Sequence, residues 1–135
     1  MKKVFILICL FASIAYSQRA GAKIFAEQSL YDFGKIKAGE KVSRDFVVQN
    51  KGGDTLIIKN VRASCGCTAV KPEKSNLLPG ESTKINVIFN SSGRKGHQKK
   101  YVYVFSNDVA NPELRLSFTA DILEQTESSK VKAVK

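Results

Sequence analysis

Leu114-Arg115-Leu116-Ser117-Phe118-Thr119-Ala120-Asp121-Ile122 alternates apolar and polar residues without a break. A strand turns successive side chains to opposite faces, so this period of two predicts one buried and one wet face. The same reading extends outward along the chain. Ile85, Val87 and Phe89 alternate with Asn86, Ile88 and Asn90. Tyr101, Tyr103 and Phe105 alternate with Val102 and Val104, which predicts a strand covered on both faces. Val42, Phe46 and Val48 form another run, and Leu56 to Val61 a fifth. Ile24 to Phe33 and a short piece around Thr68 to Val70 are weaker candidates. Phe46, Val48, Ile85, Val87, Phe89, Leu116 and Phe118 occupy the buried phase of these runs and are the predicted core.

Turn residues separate the runs: Lys37-Ala38-Gly39-Glu40, Asn50-Lys51-Gly52-Gly53-Asp54, Pro79-Gly80, Ser92-Gly93, and Asn107-Asp108 through Pro112. No segment holds a helical period. About seven short strands with regular turns predict an all-β fold, an immunoglobulin-like Greek-key β-sandwich. The antibody hallmarks are missing, since there is no Trp and no widely spaced cysteine pair. A closed barrel is the alternative.

The start of the chain reads as an address. Lys2 and Lys3 precede an apolar run, Val4 to Ala15, of signal-peptide length. That run is short of the roughly 20 residues that span a bilayer. Small-residue cleavage sites follow at Ala15-Tyr16-Ser17 and Ala20-Gly21-Ala22, so the mature chain is expected to start at Gln18 or, by the better match, at Lys23. Cys9 lies inside the apolar run after Ile8, which does not suit a lipid anchor. The expected organisation is a signal peptide over 1–22, one sandwich domain over 23–123 and a flexible polar tail over 124–135. Export to the periplasm or beyond permits disulfides. Loss of Lys2, Lys3 and Arg19 leaves 19 of 22 basic residues against 12 acidic ones, about +7. No transmembrane segment is expected after signal removal, and export argues against a nucleic-acid partner despite the charge.

Several short pieces resemble a known family. They are Asp32-Phe33-Gly34, Gly39-Glu40, Phe46 through Asn50 with Gly52, Ser64-Cys65-Gly66-Cys67-Thr68, Leu78-Pro79-Gly80-Glu81, the Gly93 to Gly96 loop, and Ser106-Asn107-Asp108. Their order over roughly residues 26 to 122 resembles bacterial domain-of-unknown-function family 1573. The resemblance implies a small exported Ig-like domain, distantly similar to the major sperm protein and PapD-like sandwiches. It implies no activity.

Cys65-Gly66-Cys67 is where chemistry is conceivable. Residues two apart on a strand have Cα atoms roughly 6.6 Å apart, near the upper limit for a disulfide. Gly66 lets the backbone bend to close one. Such a bridge would staple poorly, because the chain-entropy model gives about 1.6 kcal/mol for a three-residue loop against about 3 for fifteen. A strained bridge is also easily reduced. Cys65 and Cys67 are therefore redox or metal candidates. Two thiolates suit Cu(I) or Zn, but a structural zinc site wants four ligands, and only His97 remains to join them. The structural reading, two small residues lining a core, stands beside these. No cofactor is implied beyond a soft metal at that pair.

Arg94, Lys95, Lys99 and Lys100, with His97 among them, read as a hairpin loop and its flank. They are candidates for contact with an anionic surface such as phospholipid headgroups or acidic glycans, or are a solvated loop. Asn90-Ser91-Ser92 matches a glycosylation acceptor. No nucleophile with its base, phosphate loop or carboxylate pair is recognisable. The sequence predicts a non-enzymatic exported module that binds an envelope or extracellular protein or an acidic glycan. The alternative is a thiol-disulfide or soft-metal protein acting through Cys65 and Cys67.

Overall fold

The computed structural model describes residues 20–64, 67–69 and 72–124. The apolar run at the start, Cys65, Gly66, Val70 and the tail beyond Glu124 lie outside the described residues. Among the described residues the chain forms β1 (Ile24–Ala26), β2 (Leu30–Lys37), β3 (Lys41–Asn50), β4 (Leu56–Ala63), β5 (Cys67–Ala69), β6 (Asn76–Leu77), β7 (Ser82–Asn90), β8 (Gly96–Ser106) and β9 (Glu113–Leu123). A four-stranded sheet has the order β1-β3-β7-β5, and a five-stranded sheet the order β2-β9-β8-β4-β6. The all-β sandwich expected from the sequence is present, and two separate sheets exclude the barrel.

The expected count of about seven becomes nine for two reasons. The weak run from Ile24 to Phe33 breaks at Glu27-Gln28-Ser29, so β1 stays on the four-stranded sheet while β2 crosses to the other. There β2 runs parallel to β9, with Tyr31 opposite Phe118 and Ile36 opposite Ile122. The ninth strand, β6, is two residues long and too short to show a period.

The core follows the alternation. Phe46, Val48, Ile85, Val87, Phe89, Leu116 and Phe118 are all at most 2% exposed. Burying each such side chain contributes roughly 1.5–3 kcal/mol. An aromatic ladder crosses the sandwich: Tyr31 meets Phe33 edge-on at 4.9 Å, Phe33 meets Phe118 at 5.3 Å, and Phe118 meets Phe89 at 5.3 Å. On β8 the inward residues are Val102 and Val104, both fully buried. Tyr101, Tyr103 and Phe105 take the outer face and are half-buried there.

The turn motifs tie strand ends together. Asn107 accepts from the Ile57 N–H and donates to the Thr55 carbonyl. Buried Asp108 accepts from the N–H groups of Ile24, Ala110 and Asn111. Ser91, the middle of the glycosylation-like triplet, is buried and donates to the carbonyls of Lys37 and Glu40. Gly80 turns the chain at φ 85°, where a side chain would be strained. Gly52 has a different reason: a Cβ there would lie 2.0 Å from the carbonyl oxygen of Gly21.

Two exposed carboxylates are held below their ordinary range. Lys74 donates to Glu81 at 2.8 Å, and the Leu78 N–H donates to it across the Leu78–Glu81 turn. Asp32 accepts from the Gly34 N–H at 2.9 Å and from the Thr119 hydroxyl at 2.8 Å, linking β2 to β9. Lowered folded-state values mean stability that is present above about pH 4, where unfolded carboxyls ionise, and lost as pH falls through the folded values. An Asp32→Asn/Glu81→Gln variant should therefore lose less stability than the parent between about pH 5 and 2. Parallel urea melts across that range check it, and identical pH profiles would refute it.

Candidate functional site

The cysteine stretch lies at a corner between the sheets. β4 ends at Ala63 in the five-stranded sheet, and β5 begins at Cys67 in the four-stranded one. Ser64 anchors the corner. Its N–H donates to the Tyr101 carbonyl at 2.9 Å, and its hydroxyl accepts from the Tyr101 N–H at 3.1 Å. Its carbonyl accepts from the Cys67 N–H at 3.1 Å, across Cys65 and Gly66. Cys67 pairs with Phe89 of β7 and packs, half-buried, against the core. So the described half of the pair is a packed side chain at a sheet crossing. Cys65 lies outside the described residues. Among the described residues no three His, Cys, Asp or Glu side chains gather as they would around a metal ion.

The basic cluster does not form a hairpin, which corrects the reading of that loop. β7 and β8 belong to different sheets, so Arg94 and Lys95 sit on a crossing between them. Lys99 and Lys100 are consecutive on β8 and therefore face opposite sides. Lys100 stands opposite buried Phe118, on the inward phase at the open end of the sandwich. Lys99 faces outward, 5.8 Å from the ring of Tyr101. Lys95 reaches Glu124 at 3.9 Å. His97 is exposed and meets Asp121 through Nδ1 at 2.6 Å. The four cations thus point in several directions.

Sequence reasoning gave no role to the outer edge of β3. β1 covers only Val48, Gln49 and Asn50, because the chain leaves the sheet after Ala26. From Lys41 to Val47 no described strand lies on that side. A cleft of about 440 Å³ opens there, lined by Glu27, Gln28, Arg44, Asp45, Phe46 and Val47. Arg44 spans the sandwich margin. It donates to the Gln28 side chain at 2.8 Å, and its guanidinium lies 4.3 Å above the Tyr31 ring. Its Nε is buried with no hydrogen-bond partner among the described residues.

The ladder also shows which backbone groups face this edge. Asn50 N–H donates to Glu81 on the β7 side, while Lys51 N–H donates to Lys23 on the β1 side. The β3–β7 register runs without a shift from Gln49 to Lys41. Alternation along an antiparallel ladder then turns the N–H and C=O groups of Ser43 and Asp45 to the open edge, while those of Val47 face Glu27 where β1 leaves the sheet. The site is a strand-sized slot with free backbone groups and one arginine at its floor.

Two sheets with these strand orders, and β2 running parallel to β9, make the domain an all-β sandwich. The family model described as "Protein of unknown function (DUF1573)" matches residues 24–122, and the chain belongs to that family. No curated protein matches it. Among solved structures it is similar to a protein of unknown function from Porphyromonas gingivalis W83. The identity is 20% and the TM-score 0.66, over 79% of this chain and 50% of that one. It is also similar to PapD-like domain 7 of human CEP192, at 12% identity and TM-score 0.56, over 76% of this chain and 86% of that one. The secreted serine protease VesC from Vibrio cholerae matches at 16% identity and TM-score 0.59, over 78% of this chain but 24% of the protease. The chain thus spans half of the Porphyromonas protein and about a quarter of the protease. At these identities the likeness is one of fold.

Proposed function

We propose that this is an exported, non-catalytic binding module that captures an extended segment of an envelope or extracellular protein along the open edge of β3. The observation that supports this most is the slot itself. An unpaired strand edge offers main-chain hydrogen bonds to an added strand, and adjacent side chains select among segments. Here the edge runs beside a cleft, and Arg44 at its floor suits a segment carrying a carboxylate. Export rests on the charged start and the apolar run of the sequence; among the described residues no helix is long and apolar enough to cross a membrane. A start at Gln18 would keep Ala20 and Gly21, whose carbonyls accept from the Gly53 N–H. A start at Lys23 would forfeit that packing.

The thiol reading competes with this one, and one experiment separates them. A photo-crosslinking amino acid at Val47, which is 47% exposed, should trap a partner in cells of the native host. The same group at Val109, 96% exposed and far along the chain, should not. Trapping should persist in a Cys65→Ser/Cys67→Ser background. It should also fall at least about tenfold when a crosslinker placed at Ser43 is combined with Asp45→Pro, since proline removes a donor that faces the open edge. Equal trapping at Val47 and Val109 would sink the edge reading. Trapping that disappears with the two cysteines would favour the thiol reading.

A further inference from the structure

We propose that the outer face of the five-stranded sheet, centred on Tyr103, is a platform for acidic glycans of the uronate type. This surface is separate from the β3 edge and lies on the other sheet. β8 holds Tyr101, Tyr103 and Phe105 at successive outward positions, flanked by β9 on one side and β4 on the other. The rings are half-buried, so part of each is open to solvent. Long cationic side chains lie near them.

Those cations come from three strands. Arg62 of β4 and Arg115 of β9 are the cross-strand neighbours of Tyr103, one on each side. Arg115 lies 5.7 Å from the Tyr101 ring and 5.8 Å from the Tyr103 ring. Arg62 lies 5.7 Å from Phe105, and Lys99 5.8 Å from Tyr101. Cation–π contact at such range on a surface is weak. It holds the charges over the rings without neutralising them. The ion pairs among the described residues join Lys74 to Glu81, Lys95 to Glu124 and His97 to Asp121, so none uses Arg62, Lys99 or Arg115. Acidic groups on this face stand toward its two ends: Glu113 is directly opposite Phe105, Asp32 is level with Lys99 across Thr119, and Asp121 lies beyond Lys99, opposite His97. The middle is an aromatic row bracketed by three cations, Arg62, Lys99 and Arg115, that form no ion pair among the described residues.

That combination selects a ligand. The apolar C–H face of a pyranose ring can lie on a tyrosine ring, whose hydroxyl stays free to hydrogen-bond. A guanidinium takes a carboxylate with two parallel N–H bonds. Arg62 and Arg115 flank one strand, so their Cα atoms are about 10 Å apart across two strand spacings. Two carboxylates on one saccharide chain could therefore meet them together. A bilayer surface would favour protruding apolar side chains and longer lysine clusters; here the rings are half-buried on a sheet face, with Arg62 and Arg115 on either side of Tyr103.

The probe is polygalacturonate, with its methyl-esterified form as the uncharged counterpart, titrated calorimetrically at low salt. We expect binding of the charged polymer and at least about tenfold weaker binding of the ester, the loss expected when charge-assisted pairs go. Arg62→Gln/Arg115→Gln and Tyr101→Leu/Tyr103→Leu should each weaken binding about tenfold or more, the effect of removing anchors at a binding centre. Arg94→Gln/Lys95→Gln removes the same charge at the sheet crossing and should leave binding within about twofold. Melting temperatures of the variants report whether they remain folded. If the loop pair weakens binding as much as the sheet pair, the interaction is general ion exchange and the platform is refuted. It is equally refuted if the tyrosine pair changes nothing, or if phosphatidylglycerol vesicles or a single-stranded oligonucleotide bind more tightly at equal charge concentration. The Val47 crosslink tests the other surface, so either result stands without the other.

Discussion

Replacing Phe118 with alanine should destabilise the domain by about 3–5 kcal/mol, the range for truncating a fully buried aromatic residue. Its ring is 0% exposed and is the junction of the ladder that joins the two sheets. It meets Phe33 at an interplanar angle of 81° and Phe89 at 57°. Phe89 belongs to β7 of one sheet and Phe118 to β9 of the other, so the cavity would open where the sheets are held face to face. Edge-on aromatic contacts add about 0.5–1.5 kcal/mol each beyond area burial. A domain of this size shifts by about 4–8 °C per kcal/mol, so the melting temperature should drop by more than about 10 °C. Val47→Ala, on the exposed face of β3, is the matching control and should stay within about 1 kcal/mol. Urea melts of the three proteins measure both. A loss below about 1 kcal/mol for Phe118 would mean that the ladder relaxes around the gap.

The face of each strand was legible because burial and alternation are the same physical fact. Phe46, Phe89 and Phe118 are inside for the reason the sequence shows: polar neighbours on either side need water. Pairing is a different matter. Alternation says which way Ile36 points, but not that it lies beside Ile122, nor that β2 runs parallel to β9. It also gives no sign of a sheet change. The short connection from Asn90 to Gly96 looks like a hairpin, yet it joins opposite sheets. The same limit governed the surface. Lys99 and Lys100 are adjacent in sequence and part company on the strand. Arg62 and Arg115 are far apart in sequence and meet across Tyr103 because β8 lies between their strands. The open edge of β3 was hidden for a related reason. It exists because β1 stops after three residues, and no property of Val42 to Val47 reports the length of a neighbour. The cysteine motif was legible as a motif, and its place at a sheet crossing came only with the topology.

The polar counterpart of Phe118 is Asn50, and Asn50→Ala should cost about 3 kcal/mol or more, since an unmet buried polar group alone costs about 1–3. Asn50 is 0% exposed at the end of β3. Its amide nitrogen donates to the carbonyls of Asp54 at 2.7 Å and Leu77 at 2.9 Å. Its side-chain oxygen accepts from the N–H groups of Gly52 at 2.9 Å and Lys23 at 3.3 Å. One side chain therefore satisfies four backbone groups from β1's approach, the Gly52 turn and β6. Alanine keeps the strand and leaves these groups without that partner. Asn50→Asp isolates the donor half. It retains the two acceptor contacts but sets a buried carboxylate against two carbonyl oxygens. Burial and those oxygens disfavour the charged form, so the folded-state pKa of the new carboxyl should rise above its unfolded value of about 4. A raised carboxyl destabilises the fold above that unfolded value and relaxes as pH falls through the folded one. The deficit of Asn50→Asp relative to the parent should thus shrink on acidification from pH 7 to 5, while that of Asn50→Ala stays constant. Urea melts at the two pH values decide it. A pH-independent deficit for the aspartate variant would show that water or a local rearrangement reaches Asp54 and Leu77, and that the side-chain donor of Asn50 is replaceable.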